Sequence, residues 1–132
     1  MRLIILFTAF LLTRNITAQD IFVAYEDETV KIEYTILEVK KKKELVGEIR
    51  LIVTNKTTEY IILDFITSLF YEITMAEATQ VKQLCVGPGK VKKGKIKGLY
   101  YQPETLNYQQ LTSDDFEISI DEIKLNKTTN CK

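Results

Sequence analysis

The chain has no histidine and no tryptophan, and only two cysteines, two prolines and five glycines among its 132 residues. Without histidine it lacks the commonest general base, the Ser-His and Cys-His nucleophile pairs and the usual zinc ligand. Most hydrolytic and zinc chemistry is thereby closed to it. Without tryptophan it lacks the strongest sugar-stacking platform, for which Tyr100, Tyr101 and Tyr108 are weak substitutes. The longest apolar run, Leu3 to Leu12, covers about ten residues against the ~20 that a membrane-crossing helix needs. No membrane span is expected.

What stands at the N-terminus instead has the form of a secretory signal peptide. Arg2, the apolar core and the small-residue exit "TRNITA" place it at residues 1–18, with cleavage near Ala18. The remaining residues, 19–132, suffice for one domain with a core but not for two. That domain is expected to be soluble and extracytoplasmic, either periplasmic or secreted. Loss of Arg2 and Arg14 leaves sixteen bases against eighteen acids, a net charge of −2, so no nucleic-acid partner is expected.

Export also sets the chemistry of the two cysteines. In an oxidising compartment Cys85 and Cys131 are most simply a disulfide. The bridge would close a loop of roughly 47 residues and contribute on the order of 4 kcal/mol in the chain-entropy model. Asn55 and Asn126 each begin Asn-Lys-Thr, so a eukaryotic secretory pathway would offer both to glycosylation. In a bacterial one they are plain turn residues.

Alternation of apolar and polar side chains dominates the chain, which marks strands with one buried and one wet face. Val30, Ile32, Tyr34 and Ile36 share one side of a strand, and a change of parity at Leu37 and Val39 predicts a bulge or a strong twist. Lys40 to Lys43 then read as a solvated hairpin tip, followed by a strand through Ile49, Leu51 and Val53. Asn55 to Thr58 is turn chemistry, and Tyr60 to Phe65 another strand. Between Asp64 and Leu84 the pattern predicts a strand near Leu69 to Thr74, a turn around Ala76 to Thr79 and a strand from Gln80 to Val86. One short helix within 64–84 is the alternative. Strands are further expected at Ile96 to Tyr101 and from Phe116 through Ile120, with a short extended piece at Leu106 to Leu111. About seven short strands in one domain predict an all-β, antiparallel β-sandwich or a small barrel.

The stretch "GPGKVKKGK", Gly87 to Lys95, matches the opening of the phosphate-binding pattern G-x-x-x-x-G-K. A phosphate loop also needs a hydroxyl after the lysine and a helix behind it, whereas here Ile96 follows and the next segment is strand-like. The nucleotide reading fails. Gly87-Pro88-Gly89 is a turn, and the lysines after it describe a guarded edge strand. Its functional rival is a basic platform of Lys90, Lys92, Lys93, Lys95 and Lys97 facing an acidic partner, a polyanionic glycan or a phospholipid surface.

Charge is segregated around that stretch. Six lysines lie between Glu77 and Glu104, and six acids from Glu104 to Glu122 follow before any further base. Neutralisation across a strand ladder is the plain expectation, and an oriented surface field the sharper one. Asp114 and Asp115 match no calcium-loop spacing, and they, Asp121 and Glu122 have the setting of solvated turns and strand faces. No catalytic residue, metal or cofactor is expected.

The segment from Val30 to Phe65, above all "EIRLIVTNKTTEYIIL", resembles the strand, Asn-turn, strand core of immunoglobulin-like domains in bacterial extracytoplasmic proteins. The resemblance implies an immunoglobulin-like sandwich that serves adhesion, scaffolding or protein binding, and it carries over no catalytic residue. The function expected is therefore non-enzymatic binding of another macromolecule, and the partner expected is a protein. The alternatives are a small inhibitor or immunity-type protein against a secreted enzyme or toxin, and a carrier of a small apolar ligand in a barrel.

Overall fold

The computed structural model describes residues 20–132, so the expected leader and its cleavage near Ala18 lie outside the described residues. The strands are β1 (Phe22–Glu26), β2 (Val30–Lys41), β3 (Glu44–Asn55), β4 (Tyr60–Tyr71), β5 (Thr74–Val86), β6 (Val91–Lys92), β7 (Tyr100–Tyr101) and β8 (Phe116–Thr128). A single helical turn, α1 (Tyr108–Leu111), precedes β8. All pairings are antiparallel. One sheet, A, runs β1-β2-β3-β6 with β7 also on β3, and the other, B, runs β5-β4-β8. The expected all-β sandwich is therefore the fold, and its two sheets remain separate rather than closing into a barrel.

Period-two alternation supplies the core. Val30 and Ile32 of β2 and Ile49, Leu51 and Val53 of β3 are buried, as are Ile61, Leu63, Phe65 and Leu69 of β4 and Val81, Leu84 and Val86 of β5. The connections add Leu99, Leu106 and Leu111. Leu111 comes from α1, which Asn107 starts with a capping box: the Gln110 amide donates to Asn107 Oδ1 at 2.9 Å, and the Asn107 amide to Gln110 Oε1 at 2.9 Å. Gly47 admits this turn of helix, since a Cβ there would stand 2.6 Å from Leu111 Cδ1.

Several local expectations are corrected. The region 64–84 holds no helix: it is most of the β4–β5 hairpin, which turns at Glu72 and Ile73 rather than at 76–79. The stretch from Ile66 to Phe70 admits a helical reading because both faces of β4 are largely covered there. Tyr60 to Phe65 and Leu69 to Tyr71 are thus one strand, and the helix sits at 108–111, where the capping pair overrides an extended reading. β2 keeps unbroken register with β3 from Val30 to Lys41, so there is no bulge at Leu37. Register shifts lie instead in β1 at Val23 to Tyr25, in the β4–β5 pair at Leu69 to Phe70, and beside Asp64, where both neighbours of β4 carry an extra residue near Gln83 (φ 53°) and Glu122 (φ 50°). Asp64 Oδ1 accepts from the Gln83 amide at 2.6 Å, and the two bulges interrupt both free edges of sheet B.

Asn55 closes the crossing from sheet A to sheet B. It is fully buried, and its Nδ2 donates to the carbonyls of Glu59 at 2.7 Å, Val86 at 3.0 Å and Gly87 at 3.0 Å. Its Oδ1 accepts from the Thr57 amide at 2.9 Å and the Thr57 hydroxyl at 2.7 Å. A glycan on this nitrogen would remove a donor and put a sugar into the core, so glycosylation of Asn55 and this fold exclude each other. Asn126, on β8, is exposed.

Asn55→Ala leaves these carbonyls short of a donor and is expected to lower stability by about 3 kcal/mol, read as a lower urea midpoint. Asn55→Asp, which points a carboxylate at carbonyl oxygens, is expected to cost more. At the β4–β5 tip Ile73 takes φ 70° while 97% exposed. Ile73→Gly relieves a left-handed β-branched residue and is expected to raise stability by about 1 kcal/mol in the same titration.

Candidate functional site: the lysine loop from Gly87 to Leu99

The loop begins on the turn that the sequence marks. Pro88 and Gly89 occupy its centre, the Lys90 amide donates to the Gly87 carbonyl at 3.0 Å, and Gly89 takes φ 64° as a proline-glycine turn requires. The turn is strapped to the Asn55 crossing. Asn55 N donates to the Lys90 carbonyl at 3.0 Å and Gly89 N to the Thr57 carbonyl at 3.2 Å. Val91 and Lys92 then pair with Thr54 and Val53 of β3.

Over residues 93–98 the expected edge strand is absent, and of the strand expected at Ile96 to Tyr101 only Tyr100 and Tyr101 form, as β7. The chain rejoins β3 only through the Leu99 carbonyl, which accepts from Leu51 N at 2.8 Å, and through the Tyr100 and Tyr101 pairing with Arg50 and Ile49. Residues 93–98 therefore loop out while the partner strand advances by one residue, Ile52. The glycines explain the departure, since Gly94 (φ 106°) and the pair Lys97 (φ 49°) and Gly98 (φ 82°) turn the backbone in ways a strand cannot follow. Gly98 also packs closely, with an added Cβ falling 3.3 Å from the Gln80 carbonyl of β5.

The loop presents Lys90, Lys93, Lys95 and Lys97 to solvent, with Lys92 half-buried. None of the five is within ion-pair distance of a carboxylate among the described residues. Nor do they face the acidic segment across a ladder: β6 and β7 join sheet A, whereas the acidic β8 pairs with β4 in sheet B. The expected neutralisation is corrected, because the pairing partners of the two segments lie in different sheets.

Lys95 and Lys97, with Tyr100, border a cleft of about 420 Å3 over the outer face of sheet A. Its floor was not legible in the sequence. Glu48, 4% exposed, accepts from Arg50 Nε at 2.8 Å and from Gln102 Nε2 at 3.1 Å, while the Arg50 guanidinium lies 4.4 Å from the Tyr100 ring centroid. Pairing spends the Glu48 charge on Arg50, so the lysines set the sign of the rim.

Two further ties fix the segments that flank the loop. Cys85 and Cys131 form the expected disulfide, with Cα atoms 5.6 Å apart, joining the end of β5 to the C-terminus. On the other side Glu77 of β5 accepts from the Tyr101 hydroxyl at 2.5 Å, the Glu104 amide at 3.0 Å, the Thr105 amide at 2.9 Å and the Thr105 hydroxyl at 2.6 Å. This carboxylate links the two sheets through β5 and β7. Burial pushes its pKa up, but the hydrogen bonds from Thr105, Tyr101 and the backbone prevail and hold it below the usual carboxylate value. Asp27, at the β1–β2 turn, is depressed in the same way: burial opposes, and donors from Tyr25, Val30 and Thr29 prevail.

Among the described residues no group of three or more His, Cys, Asp or Glu side chains is placed to hold a metal ion. No described helix is long and apolar enough to cross a membrane.

A carboxylate whose pKa is lower folded than unfolded stabilises the fold above its unfolded pKa and loses that contribution as pH falls through the folded value. Stability is thus expected to hold between about pH 5 and 7 and to fall on acidification below about pH 4.5. Glu77→Gln should lower the urea midpoint at pH 7 and flatten its decline between pH 5 and 3. Compared with family models, with curated proteins and with solved structures, the chain finds no match.

Proposed function

We propose that the protein is an exported, non-enzymatic binding module of immunoglobulin-like type whose lysine loop engages an acidic surface on another protein. The observation that carries this reading is the loop itself. Five lysines without carboxylate partners among the described residues stand between Gly87 and Leu99, three of them on the 93–98 excursion. The Asn55 crossing anchors one of its ends, and buried Leu99 anchors the other. The summed field of such a cluster steers an acidic partner toward it, and a cluster held by its backbone anchors meets that partner with less ordering cost on binding. The disulfide supports an extracytoplasmic setting, where such a bond persists.

Contact of this kind depends on ionic strength, because exposed charges are screened over about 8 Å at physiological salt. Capture of the partner from the host's extracytoplasmic fraction is expected to weaken as salt is raised. It is expected to disappear when Lys90, Lys92, Lys93, Lys95 and Lys97 are all changed to glutamine. The urea midpoint of that variant should match the parent, since the lysines make no ion pair with a described carboxylate. Undiminished capture by the folded variant overturns the reading.

A further inference from the structure

A second concavity lies away from the lysine loop, on the opposite flank of the sandwich. It opens between the β1–β2 edge of sheet A and the first residue of β8 in sheet B, and α1 closes its end. Its volume is about 740 Å3, within the range of small-molecule sites. The walls continue the core: Tyr34, Ile36 and Phe116 are fringe residues packed against it, and Leu111 belongs to it. Phe22 stacks on Tyr34, with ring centroids 5.3 Å apart and planes at 30°, yet stays 46% exposed.

The charged side chains that line this groove are of one sign among the described residues. Asp20, Glu38 and Asp114 stand there with no described lysine or arginine. Neither Glu38 nor Asp114 has an ion-pair partner among the described residues. The hydroxyls of Thr112 and Ser113 are already spent on the end of α1, donating to the carbonyls of Tyr108 and Gln110 at 2.9 Å each. An occupant therefore meets aromatic and aliphatic walls, carboxylates at the rim and ring faces that attract a cation.

We propose that this groove binds a small organic amine with an apolar body. The apolar part displaces water from the Tyr34, Ile36 and Phe116 walls, and the ammonium group lies against Glu38 and Asp114. An anionic amphiphile of the same shape would bring like charge to those carboxylates.

The test compares three probes of one shape, 4-phenylbutylamine, 4-phenylbutanol and 4-phenylbutyrate, by calorimetry and by amide shifts in NMR spectra. The amine is expected to bind at least about tenfold more tightly than the alcohol, and the carboxylate most weakly. Shifts should be confined to β1, β2, α1 and the start of β8. The double variant Glu38→Gln, Asp114→Asn changes two exposed side chains and should bring the amine down to the affinity of the alcohol. Phe22→Ala should weaken both. Equal affinity for the three probes, shifts elsewhere, or no binding at millimolar concentration overturns the proposal. The five-lysine variant should bind the amine as the parent does, which keeps this result separate from that for the lysine loop.

Discussion

The carboxamide of Asn55 is the constraint on which the arrangement of the two sheets depends. It stands where the chain leaves β3 for β4, and it meets the end of β5 and the first residue of the proline-glycine turn at the same point. Few side chains supply donor and acceptor from one planar group, and this site uses both: the oxygen closes the Asn-Lys-Thr turn while the nitrogen holds the carbonyls. Full burial makes the arrangement stringent, because in a low dielectric a missing partner costs more than a made bond contributes.

The two surface features follow from how the sheets are joined. At the Asn55 end the chain returns to sheet A along β3, and there it departs into the lysine-bearing excursion before Leu99 re-enters the core. On the other flank, β1 and β8 are the edges of different sheets. The seam between them is filled only partly, by α1 and the aromatic side chains around it. The first feature carries positive charge and the second negative. The groove draws its acids from three separate segments, Asp20, Glu38 and Asp114, whereas the lysine loop is one continuous stretch that joins sheet A.

Strand positions were largely legible in the sequence because burial with period two leaves a direct trace. It fails where that trace is ambiguous. β4 is the central strand of sheet B and is covered on both faces for much of its length, so its apolar residues imitate a helix. Gly47 and Leu111 are far apart in the chain, and nothing local tells that one makes room for the other. The lysines of the loop were visible as a group, but Glu48 and Gln102 in the cleft beside Lys95 and Lys97, with Arg50 held on Glu48 and Tyr100, are residues that only sheet pairing brings together.

By itself the sequence determined the strand-rich fold, the turn at Gly87 to Gly89, the cysteine pair and the absence of histidine chemistry, since each rests on residue type or short-range spacing. Tertiary structure alone decided that Asn55 is a buried tie rather than a surface turn, that residues 93–98 loop out and that an acidic aromatic groove lies between two sheet edges. The physical reason is that burial and juxtaposition are properties of pairs of segments distant in the chain, and no single segment records what will be packed against it.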